Sequence, residues 1–539
     1  MEQFVDNQYF SIFTTYIQNM ANFKDYIQGQ QPGLFPLDIS SLIPKKHLVR
    51  QIDSVINRID IKKFDDIFSD EGAPSYHPQM MLKVIIYSYS TKNYSCRNIA
   101  AMLRQDITYM WLSGMQTPDF NTVNRFRSKY LKDVIEDVFS EVLLFLHEHD
   151  FIKFENYFVD GTKLEADAGK YSHIWKSNTL RYKAAVQARV KALMDEIDQI
   201  NLREDSIYEQ KDLPELGEQS DISSKHVEEL AQHISKKLEE KPDTAEKKRI
   251  AIIQGKVNKL KKENENLKKY EEQEAILGER NSYSKTDNDA TMMRMKRTDE
   301  LRPGYNVQIS SENQFVVNYN VDQNASDSAC FVDHVKKITD RGDEFIPESY
   351  IGDSGYGSQE NYDKLESLGI NNYLKYPSFY SEQQTGKSNP FNKDNFEYDL
   401  NGDFYICPNK VRLEYTGTFQ EKTTSGFVQT FRVYKAVKCK GCKLKEMCKK
   451  GKSNRRIQIN LELERHKEIA RKNLISEEGI KLRKKRGPEI ETFFGDIKHN
   501  QKYRRIRLRG LKKANVEIGW LAISYNLRKA NIKMIEKAA

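Results

Sequence analysis

The chain has 539 residues, 38% of them hydrophobic and 30% charged, and a formal net charge of +8. That length predicts two to four structural units. No apolar run approaches the roughly 20 residues that span a bilayer, and the first residues lack the pattern of a secretory signal, so we expect an intracellular protein without a membrane segment. Six cysteines are too few for a disulfide scaffold, which leaves metal binding as the expected role of clustered ones.

Residues 1–150 are predicted to form a helical N-terminal domain. Three prolines interrupt its first part: Pro32, Pro36 and Pro44. Residues 77–131 show helical periodicity with a break at Pro118, and Ser95 is a predicted N-cap. Four arginines of this region are expected to be exposed: Arg97, Arg104, Arg125 and Arg127. A helix-turn-helix DNA reader and a helical packing or dimerisation domain both fit these features.

A buried strand is predicted at residues 151–159, where aromatic and apolar side chains run into a turn at Asp160 and Gly161. Three helices are expected to follow, at residues 180–200, 225–240 and 244–272. The last of them carries a seam at heptad spacing, formed by Ile253, Val257, Leu260, Asn264 and Leu267. We therefore interpret residues 178–282 as a coiled-coil-like helical insertion into a core that begins at residues 151–177. Its charges are expected to be a solvated helix face rather than a nucleic-acid signal.

Strand periodicity returns at Tyr305. A hairpin is predicted there, followed by a helix, a strand that reaches Asp353, a second helix and a short strand. Residues 283–377 therefore continue the core, residues 378–465 form a second insertion that contains cysteines, and residues 466–539 supply the C-terminal helices. Strands and helices in this order predict an α/β fold with a mixed sheet flanked by helices.

Two aspartates and a glutamate are the candidate catalytic and metal-binding residues. Asp160 and Asp353 each follow an apolar run and precede small residues, and neighbouring strands about 4.8 Å apart can bring such side chains together. With Glu491 on a later helix, they could hold two Mg²⁺ or Mn²⁺ ions about 4 Å apart, the arrangement that phosphodiester chemistry uses. An ordinary aspartate at the start of a turn stays open as the alternative at both strand ends.

The helix that carries Glu491 is expected to begin near Pro488, which suits a first helical turn. Gly495 and Lys498 share one face with Glu491, so a phosphate backbone could lie across that face. Glu489 competes for the same role but points roughly 200° away on a helical wheel. A surface glutamate on a basic helix is the alternative for Glu491.

Basic residues are concentrated between Lys481 and Lys513, where three acidic residues interrupt them. Such a field attracts phosphates and releases counterions when DNA binds, although a solvated helix face remains the alternative. The candidate DNA contacts are Arg486, Lys498, Lys502, Arg504, Arg505, Arg507 and Arg509.

Four cysteines of the second insertion form the pattern C-x31-C-x2-C-x5-C, at Cys407, Cys439, Cys442 and Cys448. Four thiolates can complete a tetrahedral structural zinc site. The spacing differs from a standard finger, so reduced cysteines without a metal stay open as the alternative. Cys96 and Cys330 are expected to be isolated buried residues.

Several motifs, taken in order, resemble bacterial insertion-sequence transposases of the DDE class. Within that class they are similar to the group with a helical N-terminal domain, a cysteine-bearing insertion and a C-terminal E-x-x-F-G-x-I-K motif. The matching segments lie between His77 and Asn531 and are SCRNIAAMLRQDITYMWLSGMQTPDFNTVNRFR, FVDGTKLEADAGKYSHIWK, LRPGYNVQ, YIGDSGYGS, ETFFGDIK and RLRGLKKANVEIGWLAISYNLRKAN.

The resemblance implies a ribonuclease H-like core. It also implies that Lys498 contacts DNA beside a metal-binding triad, which consists of Asp160, Asp353 and Glu491. Related transposases often carry a Tyr and an Arg before the Glu, with three residues between that Arg and the Glu. Here Lys484 and Gly487 stand at those two positions, and Arg486 is the candidate substitute.

A cytoplasmic, nucleoid-associated transposase is the function that this resemblance implies. It would bind the terminal inverted repeats of its element, cleave there by metal-dependent hydrolysis and join the 3′-hydroxyl to target DNA. Because both element ends must be processed together, a homodimer or larger assembly on double-stranded DNA is expected. An inactive DNA-binding regulator, which would bind without nicking, and a simple nuclease, which would never join, remain as alternatives.

Overall fold

The computed structural model describes residues 23–24, 38–60, 64, 74–130, 134–208, 222–238, 246–296, 298–383, 389–423, 425–449, 451 and 453–537. The predicted breakers Pro32 and Pro36 lie outside these residues. The chain divides into two compact units, one made of Met1–Leu164 and Tyr305–Ala539 and the other of Glu165–Gly304. Within the described ranges, every helix falls short of the length and apolarity that crossing a bilayer requires.

The described part of the N-terminal region is mainly helical. Its elements are β1 (Phe23–Lys24), α1 (Leu48–Ile56), β2 (Ser75–Tyr76), α2 (Pro78–Ser90), α3 (Cys96–Gln105), α4 (Ile107–Ser113), α5 (Phe120–Arg125) and α6 (Ile135–Glu148). Ser95 caps α3 as predicted, because its hydroxyl accepts a hydrogen bond from the Asn98 amide (3.5 Å). The prediction that Arg127 is exposed was wrong: its guanidinium is buried and donates to the Tyr94 carbonyl (2.9 Å).

The strand that carries the first candidate aspartate is β3 (Asn156–Glu165). It passes through Asp160, whereas the sequence predicted that it would end there. The reason is that a long neighbouring strand pairs with β3 in the sheet, and strand pairing supplies backbone hydrogen bonds that the apolar pattern does not reveal.

The second unit is dominated by three long helices. Its elements are β4 (His173–Trp175), α7 (Lys176–Tyr208), α8 (Ser224–Leu238), α9 (Glu246–Leu277), β5 (Ser282–Ser284) and β6 (Thr291–Arg294). The heptad residues of α9, including Val257 and Leu260, are buried against Val190 of α7 and Val227 of α8. Many of the charges pair across the bundle, as in the Lys268–Glu228 ion pair (2.6 Å), which agrees with the predicted solvated faces.

The predicted hairpin, helices and strands of the core are present in the expected order. They are β7 (Leu301–Glu312), β8 (Phe315–Asp322), α10 (Asp327–Thr339), β9 (Ser349–Gly352), α11 (Gln359–Ser367), β10 (Asn371–Leu374) and α12 (Phe379–Gln383). The strands of this six-stranded sheet lie in the order β10, β9, β3, β7 and β6, and β8 also pairs with β7. β10, β9 and β3 are parallel, whereas β7 and β8 are antiparallel. This mixed sheet confirms the α/β fold class and is consistent with a ribonuclease H-like core.

A smaller antiparallel sheet and the C-terminal helices complete the first unit. They are β11 (Glu397–Asp399), β12 (Phe404–Ile406), β13 (Arg412–Lys422), β14 (Val428–Ala436), α13 (Lys445–Cys448), β15 (Arg456–Ile459), α14 (Leu461–Ile475), α15 (Glu477–Gly495) and α16 (Leu511–Lys537). The five strands β11 to β15 lie in sequence order within one sheet.

Helices cover both faces of the mixed sheet. Phe158 of β3 and Ile351 of β9 pack against Leu482 and Ile490 of α15. On the opposite face the Tyr350 ring meets Phe331 of α10, with ring centroids 5.3 Å apart. Because side chains alternate along a strand, Asp160 and Asp353 are on the same face as Phe158 and Ile351, beneath α15.

The predicted start of α15 at Pro488 was wrong. The helix begins at Glu477, where the Ser476 hydroxyl accepts a hydrogen bond from the Gly479 amide (3.0 Å). This cap and the burial of Leu482 stabilise the earlier turns, so the helix accommodates an internal proline despite the backbone hydrogen bond that proline removes. A π-helical turn, Asp496–Asn500, follows directly and carries Lys498.

Candidate active site

Asp160 and Asp353 meet around a single arginine. One oxygen of each carboxylate is held locally, since Asp160 Oδ1 accepts from the Gly161 amide (2.8 Å) and Asp353 Oδ1 from the Gly355 amide (2.8 Å). The other oxygens face Arg486 of α15, whose Nη2 lies 3.3 Å from Asp160 Oδ2 and 3.6 Å from Asp353 Oδ2. The two Oδ2 atoms are therefore no more than about 6.9 Å apart, the sum of these distances.

Arg486 holds a positive charge between the two carboxylates. Its side chain is 17% exposed, and its Nε and Nη2 atoms make no hydrogen bond with the described part of the chain. The contacts are thus ion pairs rather than the two-pronged hydrogen bonds that arginine commonly forms with carboxylates. Two carboxylate oxygens that converge on one cation are also the kind of donors that Mg²⁺ prefers, so the residues present fit a divalent ion.

Gly161 separates the aspartates from a polar layer on the opposite face of the sheet. A Cβ at Gly161 would lie 2.3 Å from Asp327 Oδ1 and 2.5 Å from Gln308 Nε2, so a side chain at this position would force both groups to move. Asp327 accepts a hydrogen bond from Gln308 Nε2 (2.9 Å), and Tyr356, in the loop after Asp353, donates to Gln308 Oε1. The layer thereby supports the backbone on which both candidate aspartates are carried.

Burial raises the pKa of the Tyr356 hydroxyl well above its ordinary value, and the surrounding carboxylates add to the shift. Those carboxylates belong to Asp327, Asp160 and Asp353. Asp327 was not predicted from the sequence, because an aspartate in the first turn of a helix is common and no spacing links it to the other two. The one sequence feature that hints at Asp327 is Gly161, directly after Asp160, because Asp327 approaches the strand at this glycine.

Lys498 lies close to the strand that carries Asp160. Its ammonium donates a hydrogen bond to Thr162 Oγ1. Thr162 is two residues beyond Asp160 on β3 and therefore projects from the same face of the sheet. The contact places a second positive charge next to the first aspartate.

Glu491 is not part of this contact group. It is exposed on α15 and makes no hydrogen bond or ion pair within the described part of the chain. On a regular helix its side chain points about 140° away from that of Arg486. Glu489, the competitor, is 2% exposed; it accepts a hydrogen bond from the Gln314 amide (2.5 Å), so it holds the β7–β8 turn.

The basic segment between the π-helical turn and α16 is extended rather than helical, so the alternative of a solvated helix face was wrong for this part. Its side chains alternate between solvent and core. The exposed residues are Lys502, Arg504, Arg505, Arg507 and Arg509, and the buried residues between them are Tyr503, Ile506 and Leu508. Buried Glu517 of α16 fixes the segment by accepting from the Arg507 and Leu508 amides (2.8 Å each).

A second acidic and histidine group joins α11 to α14. Single ligand atoms of Asp363, Glu366 and His466 lie within 4.8 Å of one another. His466 Nε2 is 2.5 Å from Asp363 Oδ1, and Arg465 forms two hydrogen bonds of 2.7 Å with the Glu366 carboxylate. The arginine already neutralises Glu366, so we interpret the group first as a link between two helices.

The insertion cysteines are brought together. Cys407, Cys439, Cys442 and Cys448 line one cavity beside the small sheet. Outside that group, Cys330 is buried as predicted, whereas Cys96 is partly exposed, with its thiol 3.8 Å from Asn124 Oδ1.

Two family profiles match the chain. Residues 406–531 match the Transposase DDE domain, and residues 37–129 match the Transposase domain (DUF772). No curated protein and no solved structure matches the chain. The first match includes Glu491, Lys498 and the four insertion cysteines, the second includes α1 to α5, and neither reaches Asp160 or Asp353. Together they indicate a DDE transposase of an insertion sequence.

Proposed function

We propose that this DDE transposase binds the terminal inverted repeats of its own element, cleaves the DNA there by metal-dependent hydrolysis and joins the resulting 3′-hydroxyl to target DNA. The observation that carries the proposal is the convergence of Asp160 and Asp353 on one cation, at most about 6.9 Å apart. Two carboxylates this close repel each other unless a cation lies between them, and Arg486 occupies that position in the free protein.

Asp160 and Asp353 would hold the divalent ions through their carboxylates, and Glu491 would supply the third carboxylate. Two Mg²⁺ or Mn²⁺ ions bound there would activate the attacking oxygen and stabilise the leaving one. Metal ions bound there would displace Arg486 from the carboxylates, which would leave its guanidinium available to a DNA phosphate. Because Glu491 points about 140° away from Arg486 on α15, it would reach the aspartates only if the helix rotated or shifted when DNA bound.

The cations around the carboxylates hold the DNA. Lys498 is anchored next to Asp160 through Thr162 and contacts the phosphate nearest the cleaved bond. The basic segment from Lys502 to Arg509 continues the path of the phosphate backbone with side chains that already face solvent. Because two element ends are joined to one target, the active form is a homodimer or larger assembly on DNA.

The test uses a duplex that ends in the inverted repeat flanking the gene, with Mg²⁺ or Mn²⁺. We expect a nick that leaves a 3′-hydroxyl at the element end, followed by joined products when target DNA is added. Asp353→Asn should lower cleavage by at least about 100-fold, since metal ions contribute several kcal/mol to such reactions, while DNA binding persists. Asp363→Asn is the matched control and should cleave normally.

Three outcomes would contradict the proposal. Full cleavage by Asp353→Asn would remove this carboxylate from the site. Binding without any nick would favour an inactive regulator, and nicking without joining would favour a simple nuclease.

A further inference from the structure

Four thiols from separate parts of the small sheet line one small cavity of about 20 Å³. Cys407 directly follows β12, Cys439 and Cys442 lie after β14, and Cys448 ends α13. These residues are 41 positions apart at their extremes in the chain, yet all four line the same cavity. The transposition chemistry proposed above uses none of them.

The backbone around the cavity is arranged for a sulfur that accepts hydrogen bonds. The Arg455 amide donates to Cys439 Sγ (3.2 Å). Gly441 has a positive φ of 80°, which lets the chain turn back between Cys439 and Cys442, so that both thiols face the same space. Amide donors to sulfur orient metal-binding thiolates and stabilise their charge.

The charge around the cavity is positive. Its lining includes Lys438, Lys445, Lys449 and Arg455. A zinc ion bound by four thiolates carries two net negative charges, which these side chains would offset. Four neutral thiols would not require such surroundings.

The small sheet also has little core of its own. Six buried residues form its apolar cluster: Phe396, Leu413, Tyr434, Ala436, Ile457 and Ile459. Cys407 and Cys439 pack against the edge of that cluster. Modules with so few buried side chains commonly depend on a metal or disulfide for stability.

We infer that one structural Zn²⁺ is bound through the thiolates of four residues: Cys407, Cys439, Cys442 and Cys448. Zn–S bonds of about 2.3 Å place the sulfur atoms of such a site roughly 3.8 Å apart. Among the described residues, three or more potential metal ligands lie within 4.8 Å of one another at Asp363, Glu366 and His466, and not at the cysteines. The four sulfur atoms are therefore farther apart than they would be around a bound zinc ion. To bind one ion, the cysteine side chains would have to rotate into the cavity, and four thiolates would leave no open position for substrate.

The full-length protein, purified under reducing conditions without chelator, is assayed for zinc by elemental analysis. We expect about one zinc per chain, falling below about 0.1 in Cys442→Ser. Cys96→Ser, which removes a thiol outside the cavity, should keep the metal. Because Cys442→Ser could unfold the small sheet, a second measurement replaces zinc by Co²⁺ in the unmutated protein, where four thiolates give a strong sulfur-to-cobalt charge-transfer band and tetrahedral d–d bands.

Two results would overturn the inference. One is a reduced, folded protein that binds neither Zn²⁺ nor Co²⁺ when these are added at micromolar concentration. The other is zinc that survives Cys442→Ser but is lost in His466→Ala, because the metal would then belong to the group of Asp363, Glu366 and His466. Neither result bears on DNA cleavage, so this inference and the proposed function can fail independently.

Discussion

The guanidinium of Arg486 lies 3.3 Å from the Asp160 carboxylate and shares the same nitrogen with Asp353, which is 3.6 Å away. A cation from α15 thus stands where two carboxylates of the sheet converge. Without a positive charge the pair would repel, by an amount that rises as the dielectric constant falls. Arginine therefore stabilises the carboxylates in the free protein and competes with any metal ion for them.

Replacing Arg486 by Ala should strengthen divalent-ion binding in the absence of DNA. Without the positive charge of Arg486, the two carboxylates repel each other and attract a divalent ion more strongly. We expect the Mn²⁺ affinity to rise about five- to tenfold, a modest change because solvent screens a half-exposed pair. Titration followed by electron paramagnetic resonance measures it. Lys484→Ala, on an exposed position of the same helix, should change nothing. An affinity that is unchanged or lower in Arg486→Ala would show that the arginine does not compete.

Substitution of Glu489 should lower stability, whereas substitution of Glu491 should abolish cleavage. Glu489→Ala removes a buried carboxylate that accepts from the Gln314 amide and pairs with Lys485, so we expect a loss of about 1.5–3 kcal/mol in the free energy of unfolding. Glu491→Ala removes an exposed side chain and should leave stability within about 0.5 kcal/mol but abolish cleavage. Urea unfolding and the nicking assay measure both. If Glu489→Ala is stable and inactive while Glu491→Ala cleaves, the assignment is reversed.

Gly161 should tolerate no methyl group. In Gly161→Ala the new Cβ would meet Asp327 Oδ1 at 2.3 Å and Gln308 Nε2 at 2.5 Å, and the resulting shift should cost about 1–3 kcal/mol and displace Asp160. Cleavage should fall with stability. Gly255→Ala is the control, because its Cβ meets nothing within 4 Å and alanine favours a helix by up to about 1 kcal/mol. Equal behaviour of the two variants would refute the close packing beneath Asp160.

Arg504 should contribute one phosphate contact. Arg504→Gln is expected to weaken binding of all DNA sequences and to reduce the slope of log affinity against log salt by about one. Fluorescence anisotropy at several salt concentrations measures the slope. Lys261→Gln, on the exposed surface of α9, should leave it unchanged, since the charges of that bundle are interpreted as solvated. If Lys261→Gln reduces the slope and Arg504→Gln does not, DNA contacts α9 and not the basic segment.

Local patterns in the sequence predicted most of the elements. Heptad spacing located the seam of α9, and alternation located the β7–β8 hairpin, because both periodicities depend on residues close together in the chain. The predicted end of β3 and the predicted start of α15 were wrong, because neither boundary is set by the local pattern alone. β3 continues past Asp160 because β7 pairs with it, and α15 begins at a cap twelve residues before Pro488.

The sequence identified Asp160 and Asp353 as candidates, but it did not predict which side chains contact them. Asp160 and Asp353 were identified from strand ends, and their meeting is a consequence of parallel pairing between β3 and β9. The position of Arg486 between them could not be predicted, since it depends on how α15 crosses the sheet. The burial of Glu489 and the approach of Asp327 to Gly161 are likewise contacts between segments far apart in sequence.

The most direct test of a metal-dependent site at this pair is anomalous X-ray scattering from crystals soaked in Mn²⁺. We expect manganese within about 2.5 Å of a carboxylate oxygen of both Asp160 and Asp353, with Arg486 turned away. Manganese bound only at Asp363, Glu366 and His466, with Arg486 still paired to both aspartates, would contradict it.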